Sequence, residues 1–143
     1  MSSPTDIKAT MLLCDSAQSI AGKLYVLGGG WSLLRKTGNL MTMALAVKLS
    51  IPWSRANESH DLEARLVTEA GDDVLQDGQP VRAEGAIEVG RPPGLRQGTP
   101  LDATFVLTFQ NLSLDPGGYV WELRERGGSE SAVLAREQFQ VVQ

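Results

Sequence analysis

Hydrophobic and polar residues alternate with a period of two along most of the chain, which is the pattern of β-strands with one buried face. In residues 41–51 both faces of the alternation are nearly apolar, so this strand is predicted to lie in the centre of a sheet. Similar runs occur at 9–14, 23–27, 61–66, 81–89, 104–110, 119–126 and 139–141. The pattern predicts about seven to nine short strands.

Clusters of Gly, Pro, Asn and Asp separate these runs, and helical periodicity is almost absent. One helical turn is predicted after Ser54, and residues 15–21 are predicted to form a helical turn or a loop. The spacing indicates an all-β fold, a mostly antiparallel β-sandwich formed by residues 1–143 as a single domain. Residues 1–7 are predicted to form a loose N-terminal tail.

The charge of the chain argues against nucleic-acid binding. The 143 residues include 13 basic and 17 acidic side chains, a net charge of −4. There is no basic cluster with interleaved aromatic residues. Residues 1–57 carry six basic and two acidic side chains, whereas residues 58–143 carry seven basic and fifteen acidic ones. We expect the two sets to interleave in one domain, although a surface that steers a partner is the alternative.

The composition also bears on disulfides, metal binding and the cellular location of the protein. The single cysteine cannot form an intramolecular disulfide, and with one histidine it leaves too few ligands for structural zinc. No apolar run reaches the roughly 20 residues of a membrane-spanning helix. No secretory signal is evident. We therefore expect a cytoplasmic protein that has no cofactor, no metal and no membrane contact.

Two motifs resemble catalytic or phosphate-binding chemistry, and each has a simpler explanation. Gly28-Gly29-Gly30 follows a strand, but it lacks the third spaced glycine and the helix of a dinucleotide site. A bulged or bent strand that admits Trp31 is the better interpretation. His60 lies between Ser59 and Asp61, yet consecutive strand residues face opposite ways and cannot converge on one atom. We expect a surface or cross-strand histidine, and therefore no catalytic residues.

Two further candidates are weak for similar reasons. Cys14 has no cationic neighbour in the sequence that would lower the pKa of its thiol, so it is predicted to be a buried strand residue. Asp72, Asp73 and Asp77 lie in one turn region but lack the spacing of a calcium-binding loop. Acidic turns are common on protein surfaces, and we therefore expect no calcium site.

The segment between the strands near 81–89 and 104–110 is the most individual part of the chain. Prolines stiffen it and glycines let it turn, which predicts a loop of fixed shape. Rigid loops bind partners at a lower entropic cost. Either it crosses between two sheets, braced by an arginine against a carboxylate, or it binds a partner through Arg91, Pro92, Pro93, Leu95 and Arg96.

Several strings resemble a family of small uncharacterised bacterial proteins classed only as a domain of unknown function. They are MLLCD at 11–15, GKLYVLGGGW at 22–31, ALAV at 44–47, IPW at 51–53, VGRPPG at 89–94 and PGGYVW at 116–121. The resemblance implies no activity, cofactor or catalytic residue. The string at 116–123 is also similar to the penultimate strand of immunoglobulin-like sandwiches, which implies an immunoglobulin-like form and nothing about function.

Taken together, the residues favour a non-enzymatic protein-interaction or assembly module, whose partner is another protein or a second copy of the chain. The alternative is a sandwich that binds a small ligand or carbohydrate through Trp31 and Trp53 with Arg91, because aromatic faces stack on sugar rings. A hydrolase that uses His60 is a third and weaker hypothesis.

Overall fold

The computed structural model describes residues 6–127 and 132–143. They form eleven strands and one 3-10 helix at Trp53–Arg55, with no α-helix among the described residues. The strands are β1 Lys8–Ile20, β2 Lys23–Gly29, β3 Leu33–Arg35, β4 Met41–Ile51, β5 His60–Thr68, β6 Leu75–Gln76, β7 Gln79–Pro80, β8 Arg82–Ile87, β9 Leu101–Leu112, β10 Gly117–Arg126 and β11 Ala132–Val142. The all-β prediction is confirmed.

Nine of these strands form two main sheets. The first sheet has the order β2-β1-β4-β9 and the second has the order β3-β11-β10-β5-β8, while β6 and β7 pair as a small hairpin. All described pairings are antiparallel except that of β3 with β11. The pairing is therefore mixed, and the immunoglobulin-like arrangement stays a prediction.

Strand β4 has the central position that its two apolar faces predict, between β1 and β9. Its alternate residues from Met43 to Ile51 point into the core and are completely buried. The second sheet contributes Leu66, Trp121 and Leu123 to the same core. Because Phe109 of the first sheet contacts Trp121 of the second at 4.3 Å between ring centroids, one continuous core joins the sheets.

Strand β1 changes partner halfway along its length. Residues 8–14 pair with β4, whereas residues 14–20 pair with β2, and Cys14 takes part in both ladders. The prediction of a helical turn or loop over 15–21 is thus wrong, because the strand continues to Ile20. This half of β1 lies outside the main core, so its residues are mostly polar and lack the alternation that predicts a strand.

The far half of the β1–β2 hairpin packs on the outer face of the first sheet. Ala17 and Leu24 contact a second, small apolar cluster formed by Cys14, Ala44 and Ala46. Ser19 Oγ lies 2.7 Å from Thr104 Oγ1 of β9 and donates to the Thr104 carbonyl at 3.2 Å. The hairpin therefore covers the second apolar face of β4 and is held across to β9.

Two sequence predictions fall partly on the remaining chain. The predicted tail over residues 1–7 lies mostly outside the described residues, but Ile7 is buried in the core. The glycine-rich cluster at 127–129, which is one of the clusters predicted to separate the strands, also lies mostly outside them. Within the described ranges, no helix has the length and apolar character needed to cross a membrane.

Candidate functional site

The β1–β2 hairpin presents an apolar strand at the edge of the first sheet. Its two-residue turn, Ala21-Gly22, has positive φ at both positions (51° and 76°), as a type I′ turn requires. The turn fixes the register, so that Gln18 lies opposite Tyr25 and Ala17 opposite Val26. Leu24 and Val26 therefore face the sheet below, while Tyr25 and Leu27 face away from it.

The outward side of this hairpin carries three apolar side chains, Ile20, Tyr25 and Leu27, which we call the hairpin face. These side chains are 54%, 54% and 71% exposed. The polar residues Ser16, Gln18 and Lys23 lie beside them. Single exposed apolar residues are ordinary on protein surfaces, but neighbouring ones on a free sheet edge form a pairing surface. Among the described strands β2 pairs only with β1, so its other edge is unpaired. The hairpin face is the strongest candidate functional site, and sequence reasoning missed it.

Gly28 and Gly29 end β2 and Gly30 follows it, and these three glycines allow a close approach of the backbone to its neighbours. Gly28 has φ of +61°, and a Cβ on it would collide with the Asp15 side chain. A Cβ on Gly29 would lie 2.9 Å from Leu12 Cδ2. The Gly30 N–H donates to the Leu13 carbonyl at 2.9 Å. A short strand, β3, follows instead of a helix, so the segment is a close backbone approach and lacks the geometry of a phosphate loop.

The loop over residues 88–100 crosses from β8 in the second sheet to β9 in the first, as one of the two interpretations predicts. Arg91 braces it, but its contact is with Trp53 and not with a carboxylate of the described residues. Its Nε and Nη2 donate to the Trp53 carbonyl at 3.3 and 2.7 Å. Its guanidinium carbon lies 4.7 Å from the centre of the Trp53 ring. Arg91 is therefore tied to the 3-10 helix by hydrogen bonds and a cation–π contact.

The other proposed loop residues point outward. Pro92, Pro93, Leu95 and Arg96 are all exposed. The carbonyl of Arg96 accepts hydrogen bonds from the Thr99 N–H and hydroxyl, which closes a turn. The turn therefore depends on the backbone of Arg96 and not on its side chain. The two arginines thus have different roles, since Arg91 holds the loop in place and Arg96 lies on its surface.

This division makes a prediction for the loop. We expect Arg91→Ala to lower the free energy of unfolding by about 1 kcal/mol, because it removes the contacts with Trp53. Arg96→Ala should change the free energy of unfolding by less than about 0.5 kcal/mol, as an exposed substitution does. Urea unfolding followed by tryptophan fluorescence measures both. A larger loss for Arg96→Ala than for Arg91→Ala would contradict this assignment, and a role of either residue in partner binding stays a prediction.

Trp31 does not share a site with Trp53 and Arg91. It packs edge-on against Phe139, which lies opposite Tyr119 at the start of β10. Arg55, two residues after Trp53, binds Glu125 near the end of β10. Six residues of strand span about 20 Å. The two tryptophans therefore lie at opposite ends of the second sheet.

Of the two expected placements of His60, the structure has the cross-strand one, because His60 begins β5 opposite Ile87. Its side chain does not lie on the surface and is 1% exposed. Arg55 Nη2 lies 3.2 Å from Nδ1, and the carbonyl of Arg55 lies 3.2 Å from Nε2. Because a guanidinium only donates, Nδ1 accepts and the Nε2 proton is donated to the carbonyl. Both ring nitrogens are thus occupied, which leaves no lone pair in this state for a general base.

Glu125 completes this cluster. Arg55 donates to its two carboxylate oxygens at 3.3 and 2.5 Å, in the paired geometry that makes arginine–carboxylate contacts strong. That hydrogen bond is the largest influence on Arg55 and raises the pKa of its guanidinium, against burial, which lowers it. The cluster fastens the 3-10 helix to the end of β10, and we assign it a structural role.

Cys14 and the acidic turn have similarly local roles. Cys14 is completely buried, as predicted, and its thiol donates to the Ala44 carbonyl at 3.5 Å. Burial, followed by the nearby charge of Asp15, raises the pKa of the thiol, so it is a poor nucleophile. Asp73 lies 3.6 Å from Arg65. In the described part of the chain, no three His, Cys, Asp or Glu side chains are grouped as a metal site.

The outer face of the second sheet carries a lattice of paired charges. Glu63 contacts Arg65 and Arg82, both at 3.2 Å, although it is itself buried. Burial pushes the pKa of Glu122 upward, but hydrogen bonds from Arg136 and Arg124 outweigh it, and the pKa lies below its ordinary value. The charges of this face thus compensate one another. Those named here all come from residues 58–143, so the expected interleaving of the two parts of the chain stays a prediction.

These features define a small all-β domain with two sheets around one core, a braced crossover loop and an exposed apolar edge strand. The chain belongs to the Family of unknown function (DUF6941), which matches residues 9–133. The match extends from β1 to the beginning of β11 and confirms the resemblance to a family without an assigned activity. No curated protein matches the chain.

Proposed function

We propose that this chain is a non-enzymatic assembly module that associates with a second copy of itself through strand β2. The observation that carries the proposal is the hairpin face on an unpaired sheet edge. Main-chain N–H and C=O groups along such an edge are satisfied when another strand is added to it. The proposal therefore rests on backbone pairing supported by apolar side chains.

The sequence of β2 suits pairing with its own copy. In an antiparallel pair centred on Val26, Tyr25 of one copy lies opposite Leu27 of the other, and this contact occurs twice. Aromatic and aliphatic cross-strand pairs each contribute about 0.2–1 kcal/mol. Lys23, which is the one charged residue of the strand, falls opposite Gly29, so no like charges face each other. A two-fold dimer thus unites the exposed residues of both hairpins.

Light scattering coupled to size-exclusion chromatography tests this association. We expect a dimer whose mass is unchanged as the salt concentration rises, because apolar contacts and hydrogen bonds are not screened. Tyr25→Lys combined with Leu27→Lys should give a monomer of 15.4 kDa, since it places lysines opposite each other across the two-fold axis. The matched control is Leu40→Lys, which charges an equally exposed leucine outside β2.

Two outcomes count against the proposal. A wild-type protein that stays monomeric at about 100 μM, a concentration at which even weak isologous dimers form, would refute self-association. The second outcome is a dimer that dissociates as the salt concentration rises and whose mass is unchanged by the two β2 substitutions. That result would show that charged residues form the interface, such as those of the second sheet or the crossover loop.

We also propose that the fold is an immunoglobulin-like sandwich. Two sheets that share one apolar core fit the layout of a sandwich, and the tight pairing of β5 with β10 and of β10 with β11 supports an immunoglobulin-like form. A buried free thiol is compatible with a cytoplasmic location, which we also propose together with a bacterial origin. The alternative, ligand binding through Trp31 and Trp53, is less well supported because the two residues are far apart.

A further inference from the structure

The two main sheets leave an open side between their terminal strands, β8 and β9. Each of these strands has a described partner on one edge only, β5 for β8 and β4 for β9. The opposite edges thus carry main-chain groups without a ladder partner in the part of the chain that the structure describes. We call the gap between these strands the edge cleft.

The edge cleft contains an apolar cavity of about 200 Å³. Leu62, Ala64 and Leu123 form its floor, while Phe105 and Leu107 of β9 form one wall. The strand β8 forms the other wall and contributes only small inward residues at its centre. Ala83 lies opposite Ala64, Gly85 lies opposite Leu62, and a Cβ built on Gly85 meets no atom within 4 Å.

The volume of the cavity limits what it accepts. Sites for drug-sized molecules enclose about 300–1,000 Å³, whereas an apolar cavity of about 150 Å³ holds one benzene ring. The edge cleft is thus suited to one large apolar side chain. A free small molecule would use the cavity alone, whereas a peptide would also satisfy the main-chain edges beside it.

Charge indicates a neutral occupant. Of the described residues that line the cleft, one is ionisable, Glu84, which lies 3.1 Å from Arg82 and 2.8 Å from Arg126. Its charge is therefore already compensated by two guanidinium groups on the outer face of the sheet. The interior of the cleft offers no charged group to a ligand.

We propose that the edge cleft binds an extended, uncharged segment of another protein, which pairs with the free edge of β8 and places one large apolar side chain in the cavity. This site is separate from β2, and it goes beyond the self-association proposed above. Binding there would add a strand between β8 and β9. Its large apolar side chain would fill the space that the small residues Ala83 and Gly85 leave empty.

Fluorescence anisotropy with labelled, end-capped heptapeptides tests this binding. The probes alternate threonine and valine and carry phenylalanine or alanine at the centre. Because burying a phenylalanine side chain contributes about 1.5–3 kcal/mol, the phenylalanine peptide should bind at least about tenfold more tightly. Methylating alternate peptide nitrogens should weaken it by about tenfold or more, since the ladder loses its donors. The protein carries Tyr25→Lys and Leu27→Lys, so that pairing through β2 contributes nothing.

Filling the cavity provides the decisive comparison. Gly85→Leu should abolish peptide binding and raise the Tm by about 4 °C, because it buries apolar surface in an open space. Ala83→Leu is a second filling variant, used if the first fails to fold by circular dichroism. The matched control Gln110→Leu adds the same side chain at an exposed site on β9, outside the cleft, and should bind the peptide normally.

Three results would overturn the proposal. The first is the absence of binding by both peptides at 1 mM, a concentration about equal to the weakest Kd that matters here. The second is peptide binding that survives both filling variants. The third is a pair of results: NMR shows toluene bound in the cavity, and methylating the peptide backbone leaves the peptide affinity unchanged. Together they would show that the site takes a small apolar ligand instead.

Discussion

Replacing Glu125 with glutamine is expected to lower the free energy of unfolding by about 2 kcal/mol. The substitution keeps the size of the side chain but removes the negative charge that pairs with Arg55 in a site where both side chains are mostly buried. Removing one partner of a buried ion pair costs about 3–5 kcal/mol, and the remaining solvent contact of this pair reduces that figure. Equilibrium urea unfolding measures the loss.

The same substitution should loosen the crossover loop at a distance. Glu125 holds Arg55, the 3-10 helix that contains Arg55 begins at Trp53, and Trp53 holds Arg91. We therefore expect faster trypsin cleavage after Arg96 in Glu125→Gln than in the wild type. Cleavage after Arg91 is blocked by the proline that follows it, so the readout is specific to one bond.

A neighbouring carboxylate provides the control for this result. Glu58 lies 4.0 Å from Arg55 Nε but is 54% exposed, so Glu58→Ala should change stability by less than about 0.5 kcal/mol and leave trypsin cleavage unchanged. Equal effects of the two substitutions would show that general charge, and not the buried contact, fixes the loop.

Sequence periodicity located the strands of the main core because one rule governs them. A strand residue is apolar where its face of the sheet is covered. Strand β4 is covered on both faces, by the second sheet on one side and by the β1–β2 hairpin on the other. The central position of β4 could therefore be predicted. The distant partner of each strand could not, because period two specifies faces and leaves pairing open.

The rule fails where a strand lies outside the main core. Of residues 15–20 of β1, all but Ile20 are polar or small. Ala17 packs on the small cluster that contains Ala44 and Ala46, whereas Ile20 is exposed on the hairpin face. This pattern resembles a loop in the sequence. The turn at Ala21-Gly22 is also atypical, since alanine seldom adopts positive φ. The hairpin face was missed for these reasons.

Inward polar residues are the second kind of failure. His60 faces the core because it begins β5 in phase with Leu62 and Ala64, and Arg55 satisfies both of its ring nitrogens. Glu137 lies opposite Trp121 on the inward side of β11, where burial raises the pKa of its carboxyl. Counting in steps of two from Phe139 would have found Glu137, but polarity argued against it.

Trp121 is expected to be the most sensitive single position in the chain. Trp121→Ala should cost about 4 kcal/mol, the usual range for deleting a fully buried aromatic side chain. A domain of this size is stable by about 5–15 kcal/mol, so this loss removes a large part of the total. Urea midpoints at constant m-value measure it, and a cost below about 2 kcal/mol would show that the sheets do not depend on this contact.

The indole of Trp121 also donates its N–H to Met43 Sδ at 3.4 Å, which gives the two sheets a directional link. Met43→Leu preserves volume, yet it leaves the buried N–H without an acceptor, so it should cost about 1–2 kcal/mol in the wild type. In a Trp121→Phe background, where no N–H exists, the same change should cost less than about 0.5 kcal/mol. Equal costs in both backgrounds would mean that packing alone joins the sheets. The expected inequality means that the position of Trp121 relative to β4 is fixed by a bond as well as by volume.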